Sequence, residues 1–232
     1  MVVALPCLAG ASSVTVTIED AGVMSANTAA FGAQGTSVET FDSAKTGHFS
    51  NYSSALGTYS AGRVDATNQY GGANGTQYLF SNSNPGTTLT LDESASYFGF
   101  WWSAGSKGNR VDLISDDTNI FSFDTDDVLA FLTDNAANSA DYYGNPSPPF
   151  QGRVGNEPFV FINMFSDIAF DTVVFSGPNF ESDNHTIAKK FTQQTGLNIS
   201  AVPLPPTLLL LISTIGAFVA TGRRQRNRAG QV

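Results

Sequence analysis

From Val14 onward the chain is a succession of short apolar runs separated by turn residues. "SVTVTIED" alternates apolar and polar positions, the period of a strand with one face buried. "TQYLFSN", "TTLTLD", "SYFGFWWS", "NRVDLIS", "NIFSFD", "FVFINMF" and "DTVVFSG" follow, each rich in Val, Ile, Thr, Phe or Tyr and bounded by Gly, Asn, Asp, Ser or Pro. This spacing predicts an all-β fold, a two-layer antiparallel β-sandwich of jelly-roll type. One run departs from it. "DTDDVLAFLTD" opens on Asp and Thr and carries Val128, Leu129 and Leu132 on one face, which predicts a helix. "NPSPPFQGRVGNEP", residues 145–158, reads as a long surface loop.

The two ends differ in kind from this body. Residues 1–13 hold a short apolar run and small residues, Ala9 and Ala11, at the spacing of a signal-peptidase site. They lack a basic n-region, so they read as a signal peptide with a truncated start. Near the other end, 18 residues from Leu204 to Thr221 are almost entirely apolar, about 27 Å as a helix and close to the thickness of a bilayer core. Arg223, Arg224, Arg226 and Arg228 follow and predict a cytoplasmic end. The expected organisation is therefore a signal peptide (1–13), an exoplasmic β-sandwich (14–198) and a linker with a Pro motif (199–206). A single C-terminal transmembrane helix (207–222) and a basic cytoplasmic tail (223–232) complete it.

Composition and charge narrow the function classes. The chain has 232 residues, of which 41% are hydrophobic and only 13% charged, as in turn-rich extracellular β domains. All 20 acidic residues precede Val202 with seven of the 11 basic ones, a body charge of −13. That balance excludes nucleic acid as a partner, because phosphate is held by Lys and Arg. A single Cys and two His leave no disulfide within the body and little scope for a zinc enzyme or a His-dependent triad.

At the C-terminus, Val202, Pro203, Leu204 and Pro205 precede the apolar run, and the Arg cluster closes it. This tripartite order resembles the PEP-CTERM sorting signal in its V-P-L-P variant, with Leu204 where the best-known form has Glu. The resemblance covers residues 202–228. It implies export in a Gram-negative bacterium and processing by a membrane-embedded exosortase near the Pro motif. An inner-membrane-anchored precursor would then be delivered to the cell surface or an exopolysaccharide matrix. Prolines 203, 205 and 206 favour an extended backbone that a protease cleft can accept. The body more loosely resembles the jelly-roll domains that precede such signals.

Four groups of residues are candidates for chemistry. "YFGFWW", residues 97–102, is the densest aromatic cluster. As a strand it places Tyr97, Gly99 and Trp101 on one face and Phe98, Phe100 and Trp102 on the other, the pattern of a central strand buried on both sides. Trp101 and Trp102 are its candidates for stacking on a glycan. Glu181, Asp183 and Asn184 lie close together, and with Glu39 and Asp42 of "VETFD" as contributors they are the candidate ligands of a structural calcium, the predicted set being Glu39, Glu181, Asp183 and Asn184. The competing reading is a polar turn. "DTDD" lacks the EF-hand spacing and fits a helix N-terminus. Glu157 and Glu181 are the pair to consider for glycoside hydrolysis, on scarcity of Glu alone. The expected function is that of a non-enzymatic surface or matrix protein that binds glycan. The alternatives are a secreted polysaccharide-active enzyme and a purely structural or adhesion module. No cofactor beyond calcium is expected, and the expected partners are an exosortase, the membrane through the C-terminal helix, and exopolysaccharide.

Overall fold

The computed structural model describes residues 13–82, 86–134 and 139–199. The proposed signal segment, Ser13 apart, and the sorting motif, apolar run and Arg cluster lie outside the described residues. In chain order the strands are β1 (Val14–Ile18), β2 (Ser37–Glu39), β3 (Gly47–Phe49), β4 (Tyr52–Ser53), β5 (Gly57–Tyr59), β6 (Gly62–Asp65) and β7 (Tyr78–Ser81). After them come β8 (Thr87–Ser103), β9 (Arg110–Ser115), β10 (Thr118–Asp124), β11 (Val160–Ser176), β12 (Phe180–Ala188) and β13 (Leu197–Asn198). The helix predicted at "DTDDVLAFLTD" is α1 (Asp126–Asp134), with Val128 and Leu132 buried.

The chain is mostly β-sheet and every pairing is antiparallel, but the expected two-layer architecture needs correction. Instead of two separate sheets, all 13 described strands join one. No helix among the described residues is long and apolar enough to cross a membrane; α1 has nine residues, and the helix expected at 207–222 lies outside the described residues.

Two long strands explain the single sheet. "TTLTLD" and "SYFGFWWS" are halves of β8, and "FVFINMF" and "DTVVFSG" are halves of β11, each 17 residues long. The sequence reading divides each long strand into two separate runs. The stretches between the halves, Asp92–Ser94 and Asp167–Ala169, are exposed, yet the backbone runs on through them with irregular register. Ladder hydrogen bonds belong to the backbone, so a solvent-facing stretch need not end a strand.

Each long strand serves two sub-sheets. The far half of β8 pairs with β12 while its near half pairs with β5. β11 pairs with β1 through residues 162–166 and with β9 through residues 172–176. The sub-sheets face each other across an aromatic core. Phe175, on the second half of β11, stacks on His185 of β12 at 4.7 Å and meets Phe98 of β8 at 5.7 Å. Tyr59 of β5 reaches His185 at 5.7 Å.

The expected two-faced burial of "YFGFWW" is found. Phe98, Phe100 and Trp102 enter the main core, whereas Tyr97 and Trp101 enter two smaller clusters on the opposite face. Gly99 sits where the Tyr97 ring crosses the strand, and a Cβ there would collide with the phenol oxygen and with Phe161.

Candidate functional site

The site grows from one row of cross-strand neighbours. Arg63 of β6 lies opposite Phe80 of β7, Phe80 opposite Glu181 of β12, and Glu181 opposite Ser103 of β8. Directly opposed residues share a face, so these four side chains stand on one side of the sheet. The next row, Val64, Leu79, Ser182 and Trp102, points the other way and is buried in the core face. Asp65 and Tyr78, one row further on, return to the first face.

Loops wall this row into a groove of about 400 Å³, within the range of ligand sites. Asn68 and Tyr70 follow β6, Ala104 and Ser106 follow β8, Glu157 precedes β11, and Asn179 precedes Glu181. Asn68 Nδ2 donates to the Tyr78 hydroxyl at 2.9 Å. The Arg63 guanidinium donates to Asp65 at 2.6 Å and lies 4.1 Å above the Phe80 ring. Tyr70 is 45% exposed at the groove.

Glu181 is the unusual group here. It is 6% exposed, and among the described residues the one hydrogen bond that favours its charged form comes from its own backbone. Burial, and then the neighbouring Glu157, push its pKa up to about 8, while Arg63 opposes the shift weakly because Asp65 already occupies it. Burial also raises the Glu157 carboxyl. Glu181 is thus a neutral acid at neutral pH, able to donate one hydrogen bond and accept another.

Its surroundings hold further unpaired groups. Among the described residues, three buried side-chain polar atoms have no hydrogen-bond partner: Arg63 Nε, Ser103 Oγ and Thr67 Oγ1. Two of these belong to the Glu181 row, and the third lies in the segment that supplies Asn68 and Tyr70. Native interiors leave few such groups, and here two of the three stand in the Glu181 row.

The other expected site residues separate. Asp183 is fully buried, and its carboxylate accepts from Ala73 N at 2.7 Å, Asn184 N at 2.7 Å and Thr76 Oγ1 at 3.3 Å. Burial raises its pKa and these three donors oppose the rise. Asn184 donates from Nδ2 to Met24 O, and Glu39 accepts from Phe41 N at 2.6 Å. Among the described residues no three acidic, His or Cys side chains gather as metal ligands. Calcium requires several oxygens converging at once, so Glu39, Glu181, Asp183 and Asn184 do not fit it. The polar-turn alternative is not found either, because "FESDNHTIA" is the strand β12.

The expectation for the tryptophans is also corrected. Trp101 and Trp102 are 1% and 0% exposed and cannot stack on a glycan. Trp102 Nε1 donates to Asn109 at 3.0 Å, and Trp101 packs near Phe159. The exposed ring at the groove is instead Tyr70, which the sequence reading passed over. Its signal was faint: one aromatic in a Gly- and Asn-rich segment, "TNQYGGANG".

A second polar cluster lies in the core. His185 Nδ1 is 2.9 Å from the Tyr59 hydroxyl and Nε2 is 3.0 Å from Ser182 Oγ. A neutral imidazole donates through one nitrogen and accepts through the other, and the two hydroxyls supply the complements. Full burial among Phe41, Phe98, Phe100 and Phe175 lowers its pKa to about 3. Despite the Ser and His, no substrate reaches this cluster, since all three side chains are buried.

Compared with known proteins, the chain matches no family model, and no curated protein shows significant similarity to it.

Proposed function

We infer that this is an exported cell-surface or exopolysaccharide-matrix protein whose body binds glycan in the Glu181 groove without chemically altering it. One observation carries the binding reading: Arg63, Asp65, Asn68 and Glu181 converge with the exposed ring of Tyr70 on a single groove. Sugars are recognised by such hydrogen-bonding side chains combined with an aromatic face, and the groove supplies both. Export rests on the sequence. The V-P-L-P motif at Val202–Pro205 with Arg223, Arg224, Arg226 and Arg228, and the N-terminal apolar run, support secretion and exosortase processing.

Two experiments test these halves. The purified full chain, applied to a glycan array, should retain a defined set of glycans, and Tyr70→Ala should release them; an array on which both proteins stay blank rules out glycan binding. For sorting, deletion of residues 203–232 should send the protein to a different cellular fraction from that of the full chain. Identical fractionation of the two refutes the sorting signal.

A second reading is favoured by the same groove. Glu157 and Glu181 line it together, and Glu181 keeps its proton at neutral pH, as the general acid of a glycoside hydrolase must. Release of new reducing ends from a bound polysaccharide, lost in Glu181→Gln, would establish hydrolysis and displace the non-enzymatic reading.

A further inference from the structure

The charges in the groove do not balance. Asp65 and Arg63 on β6 neutralise each other at 2.6 Å. Tyr78 on β7 is uncharged at neutral pH, its hydroxyl pushed up to about 12 chiefly by burial. Glu181 on β12 and Glu157 from the turn before β11 remain, two carboxyls on one groove that form no ion pair among the described residues. Burial raises the pKa of both, Glu181 being almost fully buried and Glu157 only partly so, and Glu157 makes ionisation of Glu181 harder still. Beside Glu181, on the same face, stands the buried and unpartnered hydroxyl of Ser103.

We propose that this groove selects a cationic amino sugar, with the ammonium of a de-N-acetylated hexosamine seated between Glu181 and Glu157 and its pyranose ring against Tyr70. The proposal rests on the glycan-binding reading and narrows it to one substrate class. An incoming ammonium supplies the positive charge that the two carboxyls lack, and its three N–H donors suit carboxylate and hydroxyl acceptors. The Glu181 O–H bond then breaks, its proton passes to solvent, and the resulting carboxylate pairs with the cation. An N-acetylated sugar brings no charge to the pair, and a uronic acid brings one of the wrong sign beside Glu157 and Asp65. A bare metal ion is the poorer match, because no third acidic ligand gathers with these two among the described residues.

The test is calorimetric titration of the full chain at about pH 6, where Glu181 holds its proton and the amino sugar is charged. The probes are a glucosamine trimer, its fully N-acetylated counterpart and calcium chloride. Each is run in two buffers of different ionisation enthalpy, so that proton release is read directly. The glucosamine trimer should bind about tenfold or more tighter than the acetylated one, the equivalent of about 1.4 kcal/mol. It should release up to about one proton per site. Glu181→Gln should abolish the proton release and most of the preference, and Glu157→Gln should weaken the preference while the protein remains folded. If the two trimers bind equally and Tyr70→Ala weakens both, the glycan-binding reading stands and the amino-sugar proposal falls. If neither trimer binds, both fall. Proton release driven by calcium, with no response to glucosamine, overturns the proposal in favour of an inorganic cation.

Discussion

Glu181 and His185 lie four residues apart on β12, and both are uncharged at neutral pH, yet their surroundings are opposites. His185 is enclosed by rings and has a partner on each nitrogen. Glu181 faces a groove beside a second carboxyl, Glu157, and among the described residues no other residue donates to its carboxyl. The first arrangement spends polarity on holding a core together. The second leaves a donor and an acceptor open to a ligand, and the protein loses stability by doing so. A polar residue in a strand is therefore no guide to function until its partners are known.

The largest effect should come from the enclosed side. Phe175→Ala removes the ring stacked on His185 and should cost about 3–5 kcal/mol in urea unfolding. A loss below about 1 kcal/mol would show that the two sub-sheets do not depend on each other through this contact.

The pH dependence of the two groups should have opposite signs. Unfolded, the histidine takes a proton near 6.5; folded, it refuses one until about pH 3. Its contribution to stability is complete above pH 6.5 and is lost as pH falls toward 3, by about 1.4 kcal/mol per pH unit once well into that window. For Glu181 the unfolded carboxyl ionises near 4.5 and the folded one near 8. Its contribution is complete below pH 4.5 and is lost as pH rises to 8. Asp183 and Glu157 shift in the same direction as Glu181, so variants isolate the individual groups better than the wild-type profile does. Glu181→Gln should match wild type near pH 4.5 and gain on it with rising pH, by up to about 1.4 kcal/mol per unit. His185→Gln should be least impaired, relative to wild type, at acid pH. Stability differences that stay constant with pH for both variants would erase the contrast.

Smaller effects sharpen it. Tyr59→Phe deletes one partner of His185 and should cost about 1–3 kcal/mol, the price of a buried group left unpaired. Tyr70→Ala, at the open groove, should change stability by less than about 0.5 kcal/mol while weakening glycan retention. If Tyr70→Ala proved the more destabilising of the two, the groove rim would be part of the core.

The enclosed region was the more legible in the sequence. Residues 97–102 could be placed as a two-faced buried strand because their rings leave no solvent side, and α1 could be placed because its acidic start and apolar spacing are local signals. β12 could not. Between Phe180 and Ala188 its buried positions are Glu, Ser, Asp, His and Thr, which mimic a turn. At Asn184, moreover, a bulge with positive φ inserts a residue and turns His185 inward, against the simple alternation. The groove is less legible still, because Arg63, Phe80, Glu181 and Ser103 meet only through the register of four strands. Glu157 and Glu181 were considered together for their scarcity, and the fold does line one groove with both. The tryptophans and the calcium set failed because residue type was read without knowing which face it occupies.

β1 and β13 are stitched side by side, Thr17 opposite Asn198 and Ile18 opposite Leu197, with Ile199 N donating to Val16 O at 3.0 Å. The two strands run antiparallel, so the described chain enters β1 and leaves β13 at the same end of this seam. A tensile load applied through both ends would peel this seam one rung at a time, as a zipper opens, rather than shear all its rungs together. The seam is the mechanical fuse of the molecule: it should yield at low force while β8 and β11, paired along nearly their whole length, still hold.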